Sequence, residues 1–268
     1  MRWLGADILG ASLWGPGLEG WSASQAILAG REPYVPREST LGAPAMLPPN
    51  ERRRAGEVVR LALNVAQGAV DAAKVAPEEL RCVFGSANGD GPVVGSILNA
   101  LAQAPPGRER IVSPTQFHNS VHNAAAGYWS IATSNPLPAT CLGCHDSTWA
   151  AALLLAMLEV DAGATVLLCV YDHPMPAAYA RIRAVVAPFG VGLVLAPSGT
   201  GGFAHIVVAH EDVAGRCVEP DDKALAALAT GNPAAQSLRL LQHLARRAAG
   251  HCDAAYFDGS LRVEVTPL

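Results

Sequence analysis

The stretch LPATCLGCHDSTWAAALLLAML, residues 137–158, decides the fold. Leu137 to Leu142 reads as a short apolar strand, and Ser147 to Val160 as a helix of core length. Gly143, Cys144, His145 and Asp146 separate them, so a strand turns into a helix at a tight elbow. Enzymes present nucleophiles at such elbows, beside the free N–H groups of the helix start. Asp146 has a plainer use there. Its carboxylate is predicted to cap the helix by accepting from the backbone N–H of Thr148 or Trp149.

Asp146 is also the only Asp, Glu, Lys or Arg between Ile111 and Leu158. A segment this long without charge does not face water along its whole length; it is buried or lies under a partner. It still carries His118, Asn119, His122, Asn123 and His145. Buried polar groups need hydrogen bonds, so a polar-lined interior or an interface is expected.

Strands are predicted at Trp3 to Leu9, Cys82 to Phe84 and Thr165 to Tyr171. Helices are predicted at Trp21 to Ala29, at Glu51 to Lys74 with Asn50 as N-cap, at Val93 to Gln103 and at Asn119 to Ala132. Arg31 to Asn50 and Ala104 to Gly107 read as loops. The alternation implies βαβ crossovers and a sheet covered on both faces. Val191 to Ala196 and His205 to Ala209 read as an antiparallel hairpin around Pro197-Ser198-Gly199. Asp221 to Ala249 reads as one or two helices, and Arg216 to Asp222 as the weakest candidate boundary.

Composition excludes several classes. Half of the 268 residues are hydrophobic and only 16% are charged, against about 25% in an ordinary soluble chain, so disorder is ruled out. Net charge is −4, which leaves no basic field for nucleic acid or an acidic membrane. No apolar run is long enough for a membrane span. Met1 to Gly10 does not read as an export signal, so the six Cys are expected as reduced thiols and the protein as cytoplasmic.

Several motifs invite chemistry. Cys141-Leu142-Gly143-Cys144-His145 matches the C-x-x-C-H string of haem attachment, and Cys141/Cys144 a redox pair. His118 and His122, spaced i, i+4, could join both Cys in a zinc site. Ser86 to Gly91 stands where a phosphate loop would sit, but lacks the P-loop lysine and the G-x-G-x-x-G pattern. Asp172-His173 could serve a nucleophilic Ser, but no G-x-S-x-G elbow exists to receive it. The bland reading of each is structural: satisfied histidines, buried thiols, an ordinary turn. No cofactor and no metal are expected.

Val112 to His173 resembles the N-terminal half of beta-ketoacyl synthases, which have the thiolase fold. The matching positions are Ser113-Pro114, Asn123, Gly127, Leu137-Pro138, Cys144-His145-Asp146 and Gly163-Ala164. Pro188 to Leu195 is similar to that family's later Gly-rich strand. The resemblance implies an α/β, thiolase-like fold, N-terminal half only: a mixed sheet covered by helices on both faces, with a short helical C-terminal extension. Residues 1–210 would form the ketosynthase-like domain and 211–268 the extension packed on it. Two departures matter. The family's nucleophilic Cys falls on Asp146, which cannot form a thioester. Residues 211–268 are also too few for a second half with its catalytic histidines; Ser198 to Gly202 and Gly250-His251 only echo them.

A half-length relative without the Cys resembles the short chain length factors of aryl polyene (xanthomonadin-type) synthesis. That implies a non-catalytic subunit paired with a complete ketosynthase, with an acyl carrier protein docking transiently. It also implies that the strand from Pro138 to Leu142 pairs across a pseudo-twofold. Gln116, Phe117 and Ser120 would then line the partner's acyl tunnel, with Asn123, Pro138, Cys144, His145 and Asp146 at tunnel or interface; Phe117 could equally be a core aromatic. The alternative is a small acyltransferase or condensing enzyme using Cys144 or Cys141 with His145.

Overall fold

The computed structural model describes residues 3–103, 105, 111–181, 183–213 and 220–268. Its strands are β1 (Leu4–Gly15), β2 (Leu18–Glu19), β3 (Arg81–Gly85), β4 (Ala139–Leu142), β5 (Val166–Asp172), β6 (Phe189–Pro197), β7 (Ala204–Glu211), β8 (Gly250–Tyr256) and β9 (Gly259–Pro267). Its helices are α1 (Trp21–Leu28), α2 (Pro49–Arg54), α3 (Glu57–Ala73), α4 (Gly91–Gln103), α5 (Pro114–Asn119), α6 (Ala124–Thr133), α7 (Thr148–Asp161), α8 (Lys223–Gly231) and α9 (Leu238–Arg246). All the strands join one sheet in the order β4-β3-β5-β6-β1-β7-β9-β8, with β2 paired to β1. β3 runs parallel to β4 and β5, and β6 runs antiparallel to β5 and β1. Parallel neighbours need crossovers; α4 to α6 carry the chain from β3 to β4, and α7 carries it from β4 to β5.

β5 shows how one sheet supports two cores. Val166, Leu168 and Val170 face a core with Trp149, Leu153 and Met157 of α7. The alternate residues Leu167, Cys169 and Tyr171 face a second core with α3 and with Trp129 of α6. Side chains on a strand alternate between faces, so a central strand buried on both sides must be apolar throughout. α3 sits unusually close to the sheet. Ala69 and Ala73 back onto Gly10 of β1, Gly68 onto Ser12, and Val65 onto Gly192 of β6.

The mixed sheet with helices on both faces matches the expectation, and several local expectations need correction. Glu51 to Lys74 is not one helix. The chain turns extended at Ala55, so α2 and α3 are separate, and Asn50 lies inside α2 rather than capping it. Asn119 to Ala132 is likewise split: α5 ends at Asn119, whose amide donates to the Arg54 carbonyl at 2.8 Å while its Oδ1 accepts from Tyr128 at 3.0 Å. β6 and β7 form no hairpin with each other, because β1 lies between them. The loop joining them is instead held by buried Asp7, which accepts from the N–H groups of Gly199 (2.9 Å) and Gly201 (3.0 Å) and from His205 (2.7 Å). Burial raises the Asp7 pKa, and these donors together outweigh it and bring it below the ordinary carboxylate value.

Residues 220–268 contain the expected helices and, in addition, the hairpin β8–β9, which adds to the sheet through β7. Helical spacing marked residues 221–249, whereas the alternation in Leu261, Val263 and Val265 makes β9 a half-buried strand. Most of the loop expected at Ala104 to Gly107, and most of the boundary expected at Arg216 to Asp222, lies outside the described residues. Among the described residues, no helix is long and apolar enough to cross a membrane.

Candidate functional site

Among the described residues β4 is an edge strand of the sheet, paired only with β3; β8 forms the other edge. Pro138, Ala139 and Thr140 are exposed. The elbow follows directly. Gly143 has no room for a side chain: a Cβ there would lie 2.8 Å from the Ser86 carbonyl and 3.1 Å from His122. His145 takes φ +51°, a left-handed conformation uncommon for a residue with a side chain. The Thr148 hydroxyl locks this turn, accepting from the Cys144 N–H at 2.9 Å and donating to the His145 carbonyl at 2.6 Å.

Asp146 does not cap α7. The cap position is Ser147, and no side chain accepts from the helix N–H groups there. The carboxylate instead turns outward, with 59% of the side chain exposed, and pairs with Arg183 at 2.5 Å. The physical reason is competition: a charge-assisted bond from the Arg183 guanidinium outweighs a bond from a neutral backbone N–H. His145 completes the group. Its Nε2 accepts from Arg183 at 3.1 Å, and its Nδ1 lies 3.2 Å from Asp146 Oδ2. The hydrogen bond and charge of Arg183 hold the Asp146 carboxyl below its usual pKa against partial burial, with His145 assisting. Asp146 is therefore an anion with a cation beside it. Gln236 donates to the Asp146 carbonyl at 3.0 Å, and Ser147 Oγ accepts from the Phe257 N–H at 2.8 Å. Arg183, Gln236 and Phe257 come from later in the chain and left no mark in the sequence that ties them to the elbow. Because the Asp146 side chain is exposed and an Asn can still accept from Arg183, Asp146→Asn is expected to lower stability by about 1 kcal/mol or less, read as a small change in thermal midpoint.

The other expected positions lie on α5 and at the start of α6. Gln116 donates to Ser96 of α4 at 2.7 Å. Phe117 is 67% exposed, so it is not a core aromatic. Ser120 ends α5 and donates to the Phe117 carbonyl at 2.8 Å. Asn123 is exposed at the start of α6, and its carbonyl accepts from the Gly127 N–H. Ile111, Val121, Ile131 and Leu137 are exposed as well. The uncharged stretch is thus divided: α7 is largely buried, and the part from Ile111 to Leu142, which contains β4, exposes these apolar side chains and carries no charge.

The tempting motifs resolve otherwise. Cys141 and Cys144 are free thiols. Burial pushes the Cys141 thiol up to about 11, away from thiolate chemistry. No three His, Cys, Asp or Glu side chains converge on a metal position among the described residues. His118 packs edge-on against Tyr128, and His122 donates to the Ser86 carbonyl at 2.9 Å. The turn after β3 does cradle an acidic group, but the group is the protein's own: the Asp172 carboxyl Oδ1 accepts from Ser86 Oγ (3.1 Å) and from the N–H groups of Ala87 (2.8 Å) and Asn88 (3.2 Å). Asp172 does not orient His173, which pairs with Glu57 at 3.3 Å.

A profile of the beta-ketoacyl synthase N-terminal domain matches residues 20–255. The chain belongs to that family. No curated protein sequence matches it significantly. Solved structures of the family share the fold at low identity. A ketosynthase in complex with its chain length factor from Xenorhabdus doucetiae has a TM-score of 0.73 at 21% identity, over 97% of this chain and 99% of that one. The ishigamide ketosynthase/chain length factor gives 0.70 at 16%, over 98% of both chains. A type II polyketide synthase acyl-carrier protein in complex with its hexaketide-bound ketosynthase gives 0.74 at 11%, over 99% and 100%. In this family member the elbow after β4 is filled by the Asp146–Arg183–His145 group.

Proposed function

We propose that this chain is a non-catalytic chain length factor: it pairs with a complete beta-ketoacyl synthase and shapes that partner's acyl tunnel in aryl polyene or related type II polyketide synthesis. The observation that carries the reading is the face around β4. The edge of β4 is unpaired among the described residues, and the stretch from Ile111 to Leu142 that contains it carries no charge and exposes Ile111, Phe117, Val121, Ile131 and Leu137. An open edge and an apolar patch are both liabilities in a lone subunit and are relieved by a similar fold set edge to edge. A growing polyene needs a dry tunnel whose length limits the product by sterics, and that task asks no chemistry of this subunit. The reading also draws on the likeness to structures containing chain length factors. Gln116, Phe117 and Ser120 would reach the tunnel, with Asn123, Pro138, Cys144, His145 and Asp146 at its rim or the interface. An acyl carrier protein would dock mainly on the partner. The thiols of Cys82, Cys141, Cys144 and Cys169, which form no disulfide among the described residues, suit a cytoplasmic setting.

The competing reading, an acyltransferase using Cys144 or Cys141 with His145, has less support. Both His145 ring nitrogens are engaged by Arg183 and Asp146, so neither is free to act as a general base.

The test is co-expression with the ketosynthase encoded nearby. The two chains should co-purify, and this chain alone should self-associate. Incubation with an acyl carrier thioester should leave no acyl adduct by mass spectrometry; an adduct on Cys144 overturns the non-catalytic role. In the reconstituted pair, Ser120→Trp should shorten the polyene while Asp146→Asn leaves synthesis largely intact. An unchanged product length removes Ser120 from the tunnel.

A further inference from the structure

Away from β4, four strands along the sheet, a cavity of about 350 Å³ opens beside Leu9, Gly10 and Ala11 of β1. Its walls carry Arg31, Arg246 and Arg247, with Gln25, and no carboxylate among the lining residues. Trp21 and Phe203 form an aromatic wall, their ring centres 6.1 Å apart and tilted by 40°. In a chain of net charge −4, three cations around one acid-free hollow form a local field that the composition does not foreshadow.

Two of the three arginines, Arg31 and Arg246, also line an adjoining hollow that carries Glu32, Asp221 and Asp222. Arg246 reaches Asp221 at 3.6 Å, but Asp221 is 77% exposed and lines the adjoining hollow, not this one. Arg31 and Arg247 make no ion pair among the described residues. The end of α9 accounts for part of the cluster, since cations are favoured near a helix C-terminus. It does not account for Arg31, which arrives from the turn after α1 and faces the same space.

We propose that this cavity binds an organic phosphate: a phosphate group held by the Arg31, Arg246 and Arg247 guanidiniums, joined to a flat apolar group lying against Trp21 and Phe203. Guanidiniums match phosphate oxygens with paired N–H donors, and each such bond is charge-assisted. The apolar wall supplies the remaining affinity and distinguishes an ester from free phosphate. The concavity and small volume favour a small molecule over a protein surface. The proposal does not depend on the chain length factor reading, because it uses none of the residues around β4.

The probe is 1-naphthyl phosphate, titrated into the full chain by calorimetry, with 1-naphthol and inorganic pyrophosphate in parallel. Naphthyl phosphate should bind saturably at one site, more tightly than either control, and more weakly as ionic strength rises. Arg31→Gln and Arg247→Gln should each weaken it about tenfold, and the double variant should abolish measurable binding. Both side chains are exposed, so the variants should keep the wild-type thermal midpoint; Arg31→Lys, which retains the charge, should weaken binding less than Arg31→Gln. Absence of naphthyl phosphate binding overturns the proposal. So does binding unchanged in the double variant, which would place the ligand elsewhere. Pyrophosphate binding as tightly as the ester overturns the aromatic half of the assignment.

Discussion

Gly192→Val is expected to remove most of the folded population. Gly192 lies in the middle of β6, between Ser12 of β1 and Cys169 of β5. A Cβ there would overlap the Val65 carbonyl oxygen of α3 and stand 2.9 Å from the Val65 carbonyl carbon. The obstacle is helix backbone, which cannot swing aside as a side chain would. Relief would need α3 to lift from the sheet, and α3 holds the whole second core: Val58, Leu61, Val65, Ala69 and Val70 are all buried under it. Overpacking a core costs about 1–3 kcal/mol where neighbours can adjust, and more where they cannot. We expect at least about 3 kcal/mol, a large share of the ~5–15 kcal/mol that holds a typical domain together. Denaturant unfolding followed by circular dichroism checks it. A midpoint within error of wild type would show that α3 does not rest on this glycine.

Asp172→Asn should instead stabilise the protein at neutral and alkaline pH. Asp172 is fully buried at the end of β5. Burial pushes its carboxyl from 3.8 up to about 7, against the opposing pull of the Ala87 N–H, the Ser86 hydroxyl, the Asn88 N–H and Arg183. Its Oδ2 has no hydrogen-bond partner among the described residues. A raised carboxyl pKa means that the folded state holds a proton the unfolded state has released. Asp172 therefore favours folding most below pH 3.8, and that contribution is lost as pH rises to about 7. At about 1.4 kcal/mol per pH unit, the loss amounts to at most ~4 kcal/mol. An Asn keeps the acceptor that Ser86, Ala87 and Asn88 use and removes the buried charge. Its amide must still sit where Oδ2 is unpaired, which takes back about 1–3 kcal/mol. The net expectation is a gain of about 1–3 kcal/mol above neutral pH and a flatter stability curve through the mildly acidic range. Parallel urea titrations across pH give the answer. A wild-type and variant difference that does not change between acid and neutral pH would mean that Asp172 is ionised at no cost.

Much of the frame was legible in the residues. The strand–elbow–helix of residues 137–158 is present, and β3, β4 and β5 with their crossovers follow from runs such as Cys82 to Phe84 and Thr165 to Tyr171. These are local signals: apolar period, turn residues and length. The misread elements are those where distant groups decide. The break between α2 and α3 carries no proline, and helical spacing alone joins them. Val191 to Ala196 and His205 to Ala209 look like a hairpin because they are close in sequence, yet the first strand of the chain fits between them. At the site, the presence of an acid at the elbow was readable, and its duty was not, because Arg183 is brought to it only by the fold.

The sequence by itself determined the alternation of strands and helices, the acid in place of a sulfur at the elbow, and a long stretch without charge. These are properties of composition and short-range pattern, carried by each residue and its near neighbours. The tertiary structure alone decided that Asp146 meets Arg183, that the turn after β3 closes on Asp172, and that part of the uncharged stretch stays exposed along β4. Each of these depends on which groups compete for the same hydrogen bond or the same water once the chain is packed, and a linear order of residues does not contain that competition.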